Sequence, residues 1–355
     1  VQQAVHIARE FPGTHVKLLW SREEDMQHGM YHPATMAKMT GGLDAEGNLV
    51  GLKIRVSGQS ILAGVMPARL REDGADPVTF QAFLPVGSHA ITYTFSNLKI
   101  DHAMRNSHLP PGFWRFVNVN QNAIYMECFL DELAHAAGRD ALEFRRALMA
   151  DHPRGLAVLE AVAERAGWGS PAPEGVHRGL AVCHSFASDT AACAEVSVSA
   201  EGALKIHRIV AATDPGYVVN PQQVEAQVEG SFVYGLSALL YGGLKIDNGR
   251  VVDSNFDTYK SLLMAEMPEV ETIVMPSGGD EWRTERLIVT HSERILAIDA
   301  HTGEIVPAAD VFNITTPIGI YYGEDGLFAS SDQIYFDVPG FQENHLSDYT
   351  GPEQY

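Results

Sequence analysis

The stretch "MRNSHLPPGFWRFVNVNQNAIYMECFLDELA", residues 104–134, changes character in its middle. Pro110, Pro111 and Gly112 make a rigid turn whose backbone can approach a neighbour closely. Arg115 follows at once. From residue 118 the spacing becomes helical, and it continues to 149 with Gly138 as a natural stop. Ile124, Cys128, Leu130 and Leu133 fall on one predicted apolar stripe. The arrangement delivers a permanently charged, forked donor to the start of a helix, suited to a phosphate or an oxo group. Arg115 has an equally good structural reading, as a cap for the following helix or a partner for a surface carboxylate.

Upstream, residues 2–11 read as a short helix, and the apolar run "VKLLW" (16–20) as a buried strand. Ser21 with Glu24 has capping-box spacing for a helix start. Residues 36–58 alternate around "DAEGN" and predict a long β-hairpin. Downstream, 154–167 is again helical, and 168–178, "WGSPAPEGVHR", has linker composition. Strands are expected over about 192–213. A helix with Pro221 in its first turn follows, where a missing N–H costs nothing. A second hairpin turns at "DNG", 247–249.

At 355 residues the chain is long enough for about two domains. Its net charge of −20 argues against nucleic acid and anionic membrane surfaces, both of which require clustered Lys and Arg. The longest apolar run, "FVYGLSALLYGGL" (232–244), is too short and too interrupted for a membrane span. A soluble protein is expected, with cytoplasm and periplasm both open. No basic-then-apolar leader precedes the first helical pattern, as in a piece of something longer. Cys128, Cys183 and Cys193 lack CxxC spacing and read as reduced packing residues.

From residue 280 onward there are 14 acidic residues against 3 arginines, with no lysine or cysteine. "SERIL" (292–296) and "SDQIY" (331–335) repeat between short predicted strands, in the manner of propeller blades. His28 and His32 have i, i+4 spacing, but Gly29 stands where a zinc protease carries glutamate, so surface histidines are the better reading. His184 beside Ser185 lacks a nucleophile elbow. No metal-ligand set and no catalytic residue is identified from spacing.

The 104–134 stretch resembles the large, molybdopterin-binding subunit of the xanthine dehydrogenase and aldehyde oxidase family, in its isoquinoline 1-oxidoreductase β-subunit branch. Three further passages agree: "VKLLWSREEDMQHGMYHPATM" (16–36), "ATDPGYVVNPQQVEAQVEGSFVYGLSALLYG" (212–242) and "FDTYKSLLMAEMPEVETIVMPSGG" (256–279). The resemblance covers nearly all of 1–282 and implies an α+β fold of mixed sheets with packed helices, with partial molybdopterin-binding domains over 1–168 and 178–282; residues 283–355 lie beyond it and read as an acidic, β-rich, repeat-like tail. The resemblance also implies molybdopterin as cofactor, an aldehyde or N-heterocycle as substrate, and a small [2Fe–2S] subunit as partner. Gly112, Arg115, Gln227 and Gly230 match cofactor-contacting positions. An amide such as that of Gln227 can read the mixed donor and acceptor edge of a pterin, although a helix-face Gln and a packing Gly fit these positions as well.

Three departures oppose an intact active site. The family's Gly-rich loop lies upstream of the segment matching Val1. Phe116 stands where the loop after Arg115 usually carries glycine, and a bulky side chain disfavours positive φ. In "PSGGDEWRTERLIV" (276–289), Asp280 and Trp282 hold, but Leu287 occupies the place of the catalytic glutamate and cannot accept a proton. Glu285 is a poor substitute. Two readings therefore stay open: a fragment of a molybdenum hydroxylase, or a catalytically silent, truncated or rearranged domain acting at most as a binding or interaction module.

Overall fold

Apolar residues at alternate positions of residues 35–58 can face a core only if the chain doubles back, and it does. Strands β1 (Thr35–Leu43) and β2 (Leu49–Gly58) pair antiparallel. The Asp44 carboxylate closes the turn by accepting the Glu46 and Asn48 N–H groups, and Gly47 takes the positive φ of +77°. This is a computed structural model that describes residues 2–84 and 91–275, and the backbone of five strands between Arg286 and Ser330. The chain divides into two compact units, Val1–Met275 and Pro276–Tyr355.

In the first unit, α1 (Gln2–Arg9) and α2 (Arg22–His28) precede the hairpin. Ser21 Oγ accepts the Glu24 N–H at 3.2 Å and caps α2 as its spacing predicts. The run 16–20 is not a strand. Leu19 is 74% exposed, and Trp20 donates its indole N–H to Gln3 in α1. An apolar run becomes a strand only where a sheet edge receives it, and none does so here. After α3 (Ile61–Val65), β3 (Leu98–Met104) adds to β2 in parallel.

Three helices follow: α4 (Val119–Ala136), α5 (Ala141–Leu148) and α6 (Pro153–Ala166). Asp140 caps α5 through two backbone N–H groups, and Gly167 ends α6 in the left-handed conformation. Next come β4 (His177–Ser185), β5 (Ser188–Val198) and β6 (Leu204–Asp214), then α7 (Pro221–Tyr241). The small β7 (Ile246–Asp247) and β8 (Arg250–Val251) turn at Asn248–Gly249, both with positive φ. Strand β9 (Glu269–Val274) returns parallel to β6, giving the sheet order β4-β5-β6-β9.

Burial of β6 is continuous from Ile209 to Asp214, because both faces of this sheet are covered. Val210 and Ala212 join the main core with α6, while Ile209 packs with Leu236 of α7 and Leu262. The main core also contains Ile54 and Val56 of β2, Leu130 of α4, Phe144 of α5, Val158 and Leu159 of α6, and Val182 of β4. It therefore runs across the 168–178 segment. The fold is α+β, as the sequence implies. Among the described residues no helix is long and apolar enough to cross a membrane.

The predicted stripe on α4 is only half correct. Leu130 and Leu133 are buried, but Ile124 is 55% exposed and Cys128 is exposed. The helix is rotated so that Glu127 is buried with Met126, Leu130 and Ala134. Glu127 accepts from Tyr93 Oη at 2.7 Å, Arg145 Nε at 3.1 Å and the Val182 N–H at 3.1 Å. Arg145, 0% exposed, also donates to Asp131 and to the Glu127 carbonyl. Burial pushes the Glu127 carboxyl up and the guanidinium pulls it back, leaving it above the ordinary carboxylate range. All three cysteines are free thiols, and burial pushes Cys183 up to about 12 and Cys193 to about 11.

The second unit has β10 (Arg286–His291), β11 (Arg294–Asp299) and β12 (Ile305–Val306) in one antiparallel sheet, and β13 (Gly319–Gly323) with β14 (Gly326–Ser330) in another. "SERIL" spans the β10–β11 connection, and "SDQIY" lies outside the described residues.

Removing one member of a buried ion pair strands the other charge, at a cost of about 3–5 kcal/mol. Arg145→Met is expected to lower stability by that amount in urea unfolding. A loss below 1 kcal/mol would show that Glu127 is not fixed by this pair.

Candidate functional site

Residues 105–118 leave β3 and reach α4 by a loop that two neighbouring segments hold. Tyr31 bridges in parallel to Pro111, with Gly112 N donating to Tyr31 O at 2.9 Å. Gly112 is buried, and a Cβ there would lie 2.4 Å from the Met30 Cβ, so this glycine permits the close passage of two backbones. His32 Nε2 donates to Val117 O at 3.3 Å and sits edge-on to Trp114. The two histidines spaced i, i+4 are thus not a pair on one helical face: α2 ends at His28, and His32 serves the Arg115 loop.

The loop carries backbone strain. Phe116 and Val117 have φ of +70° and +52°, a region that non-glycine residues avoid and β-branched ones especially. The sequence placed a bulky residue at a position expected to be glycine, and the backbone nonetheless takes the glycine-like conformation. Asn120 secures it by donating to the carbonyls of Arg115 and Val117. Asn118 N donates to Gln81 Oε1, and Asn122 donates to the carbonyls of Thr79 and Gln81, both at 2.8 Å. The asparagines of "NVNQN" are therefore clamps.

This geometry carries Arg115 to α7. Its guanidinium carbon lies 3.9 Å from the centroid of the Tyr234 ring. Among the described residues no carboxylate pairs with Arg115, and no acceptor takes its side-chain N–H groups. Tyr234 is two turns beyond Gln227 on the same helix face, about 10 Å along the axis. Between them Gly230 leaves open space, since an added Cβ would meet nothing within 4 Å. Gln227 lines a cavity of about 380 Å³ with Gln223, Thr190, Thr213 and Phe232. The Thr190 and Thr213 hydroxyls lie 3.0 Å apart. Arg115, Gln227 and Gly230 thus belong to one surface, while Gly112 sits behind it. Sequence reading did not single out Tyr234, although its seven-residue spacing from Gln227 is a helical signal.

At the other end of β4, His184 Nδ1 faces the buried Asp189 at 3.0 Å, and Arg154 binds both Asp189 and Asp214. In the second unit, the backbone at Leu287 lies in β10, opposite Ile298. Asp280, Trp282 and Glu285 lie outside the described residues.

Residues 3–149 and 131–268 each match a family model described as a molybdopterin cofactor-binding domain. The chain is 29% identical over 273 residues to isoquinoline 1-oxidoreductase subunit beta of Brevundimonas diminuta, covering 75% of this chain and 34% of that protein. It is 27% identical over 289 residues to the membrane-bound aldehyde dehydrogenase (pyrroloquinoline-quinone) of Gluconacetobacter polyoxogenes, covering 75% and 37%. The crystal structure of quinoline 2-oxidoreductase from Pseudomonas putida 86 superposes with a TM-score of 0.59 at 11% identity, over 73% of this chain and 57% of that one. At that identity the match shows a shared fold. The chain spans about a third of the length of these two curated relatives.

The strained loop makes a direct prediction. At positive φ, glycine is favoured over alanine, the reverse of the order in helices and strands. Phe116→Gly and Val117→Gly are each expected to be more stable than their alanine counterparts by about 1 kcal/mol. Equal or reversed thermal stabilities would contradict the left-handed backbone at 116–117.

Proposed function

Because the chain belongs to the xanthine dehydrogenase and aldehyde oxidase family, as part of a molybdopterin-binding large subunit, we propose that it forms one wall of a molybdopterin site. The observation that carries this reading is Arg115, held at Tyr234 with its N–H groups uncommitted and on the same helix face as Gln227 and Gly230. The donor set fits the cofactor. The Arg115 fork suits a phosphate or oxo oxygen. The Gln227 amide offers a donor and an acceptor to a pterin edge. Gly230 admits a planar group to the helix surface. Gly112 contributes by holding the Arg115 loop against residues 30–31.

When bound, the cofactor supplies the oxidation chemistry, and the protein supplies orientation and electrostatics. The whole protein would then oxidatively hydroxylate an aldehyde or an N-heterocycle and pass electrons to a small [2Fe–2S] subunit. The relative named a subunit beta supports a partner chain. A second reading rests on Leu287. An aliphatic residue in a β-hairpin at the place expected for the catalytic glutamate favours a chain that binds without turnover.

Expression with molybdenum-cofactor maturation machinery, followed by molybdenum and pterin analysis, tests the reading. Both are expected to copurify, and Arg115→Ala is expected to lower retention about tenfold or more, as for loss of a charge-assisted hydrogen bond. Absence of molybdenum, or pyrroloquinoline quinone in place of pterin, would refute it. Oxidation of an aldehyde or N-heterocycle with an artificial acceptor then separates an active chain from a silent one.

A further inference from the structure

Among the described residues some arginines pair with a carboxylate, Arg145, Arg178 and Arg208 among them, and others, such as Arg105 and Arg139, do not. Arg115 is of the second kind, and its guanidinium lies over an aromatic ring. A ring attracts a cation through its quadrupole but takes up none of the five N–H donors. A carboxylate would hold the side chain equally well, while neutralising its charge and occupying its fork. The ring is also firmly mounted. Phe232 and Leu236 pack on the opposite side of α7 with Ile209 and Leu262, which fixes the rotation of the helix and presents Tyr234 outward. On the Arg115 side, Asn120 and His32 fix the backbone from which the guanidinium extends.

We infer that Tyr234 is a positioning residue, which holds the Arg115 guanidinium over its ring so that the N–H edge stays charged and available to a phosphate-type anion. The inference deepens the proposed function and rests on it only for the identity of the anion. The ring acts on the orientation of Arg115 and touches no reacting atom.

The experiment uses the full chain without cofactor and inorganic pyrophosphate as the probe, followed by titration calorimetry at two chloride concentrations. Wild type is expected to bind, and Arg115→Ala to lose binding at least tenfold. Tyr234→Phe keeps the ring and is expected to match wild type. Tyr234→Leu keeps the bulk without the quadrupole and is expected to weaken binding about two- to fivefold, the scale of an exposed cation–π contact. Tyr234→Glu gives Arg115 a carboxylate and is expected to abolish binding. In the Arg115→Ala background, Tyr234→Leu is expected to have no further effect, which separates positioning from general loss of structure. Tyr234 is 51% exposed, so these variants are expected to fold.

No pyrophosphate binding by wild type would overturn the inference, as would equal affinities of wild type and Tyr234→Leu. Pyrophosphate binding that depends on both residues, in a chain that never retains molybdenum, would uphold the inference while refuting the cofactor. Retained cofactor with no effect of Tyr234→Leu or Tyr234→Glu on pyrophosphate would do the opposite.

Discussion

The carboxylate of Glu127 is where the first unit is tied together. One buried group accepts hydrogen bonds from a loop tyrosine (Tyr93), an arginine of α5 (Arg145) and a backbone N–H of β4 (Val182). Without it, α4 would have no reason to turn a charged residue inward in place of Ile124. Desolvating the charge is costly, and the cost is offset because both carboxylate oxygens accept hydrogen bonds, one of them from a guanidinium. The pair also sets the rotation of α4. Whatever α4 carries at its N-terminus is thereby aimed, and what it carries there is the Arg115 loop.

That loop is a second case of local cost tolerated for geometry. Two successive non-glycine residues sit at positive φ, held by asparagine side chains that satisfy carbonyls which no helix or strand reaches. Strain of this kind persists only where the surroundings over-determine it. Here the surroundings are a histidine from the 29–34 segment, Gln81 and the first turn of α4. The consequence is an arginine projected onto α7, a helix with Leu236 as its single buried residue among the 21 it contains. Such a helix leaves most of its surface exposed.

The site divides by physical role. Gly112, Asn118, Asn120, Asn122 and His32 build the loop. Under the proposed function Arg115 and Gln227 would offer charge and amide to the cofactor. Tyr234 relates the two elements. Leu287 lies in a strand of the second unit, and under the proposed function, where a proton acceptor is expected at that place, binding and turnover would be separable.

The sequence by itself determined the elements whose cause is local. The 35–58 hairpin follows from alternation and the Asp44 turn, α2 from Ser21, the start of α7 from Pro221, the end of α4 from Gly138, and the 246–251 hairpin from Asn248–Gly249. The ordered passages around Arg115 and Gln227 were enough to identify the family. Tertiary structure alone decided what depends on distant partners. It left 16–20 outside any sheet because no edge receives that run. It buried Glu127 and exposed Ile124 because Arg145 and Val182 lie on one side of α4. It joined Arg115 to Tyr234, 119 positions further along the chain, a meeting that no periodicity encodes, because it depends on how two elements pack and not on how either one folds.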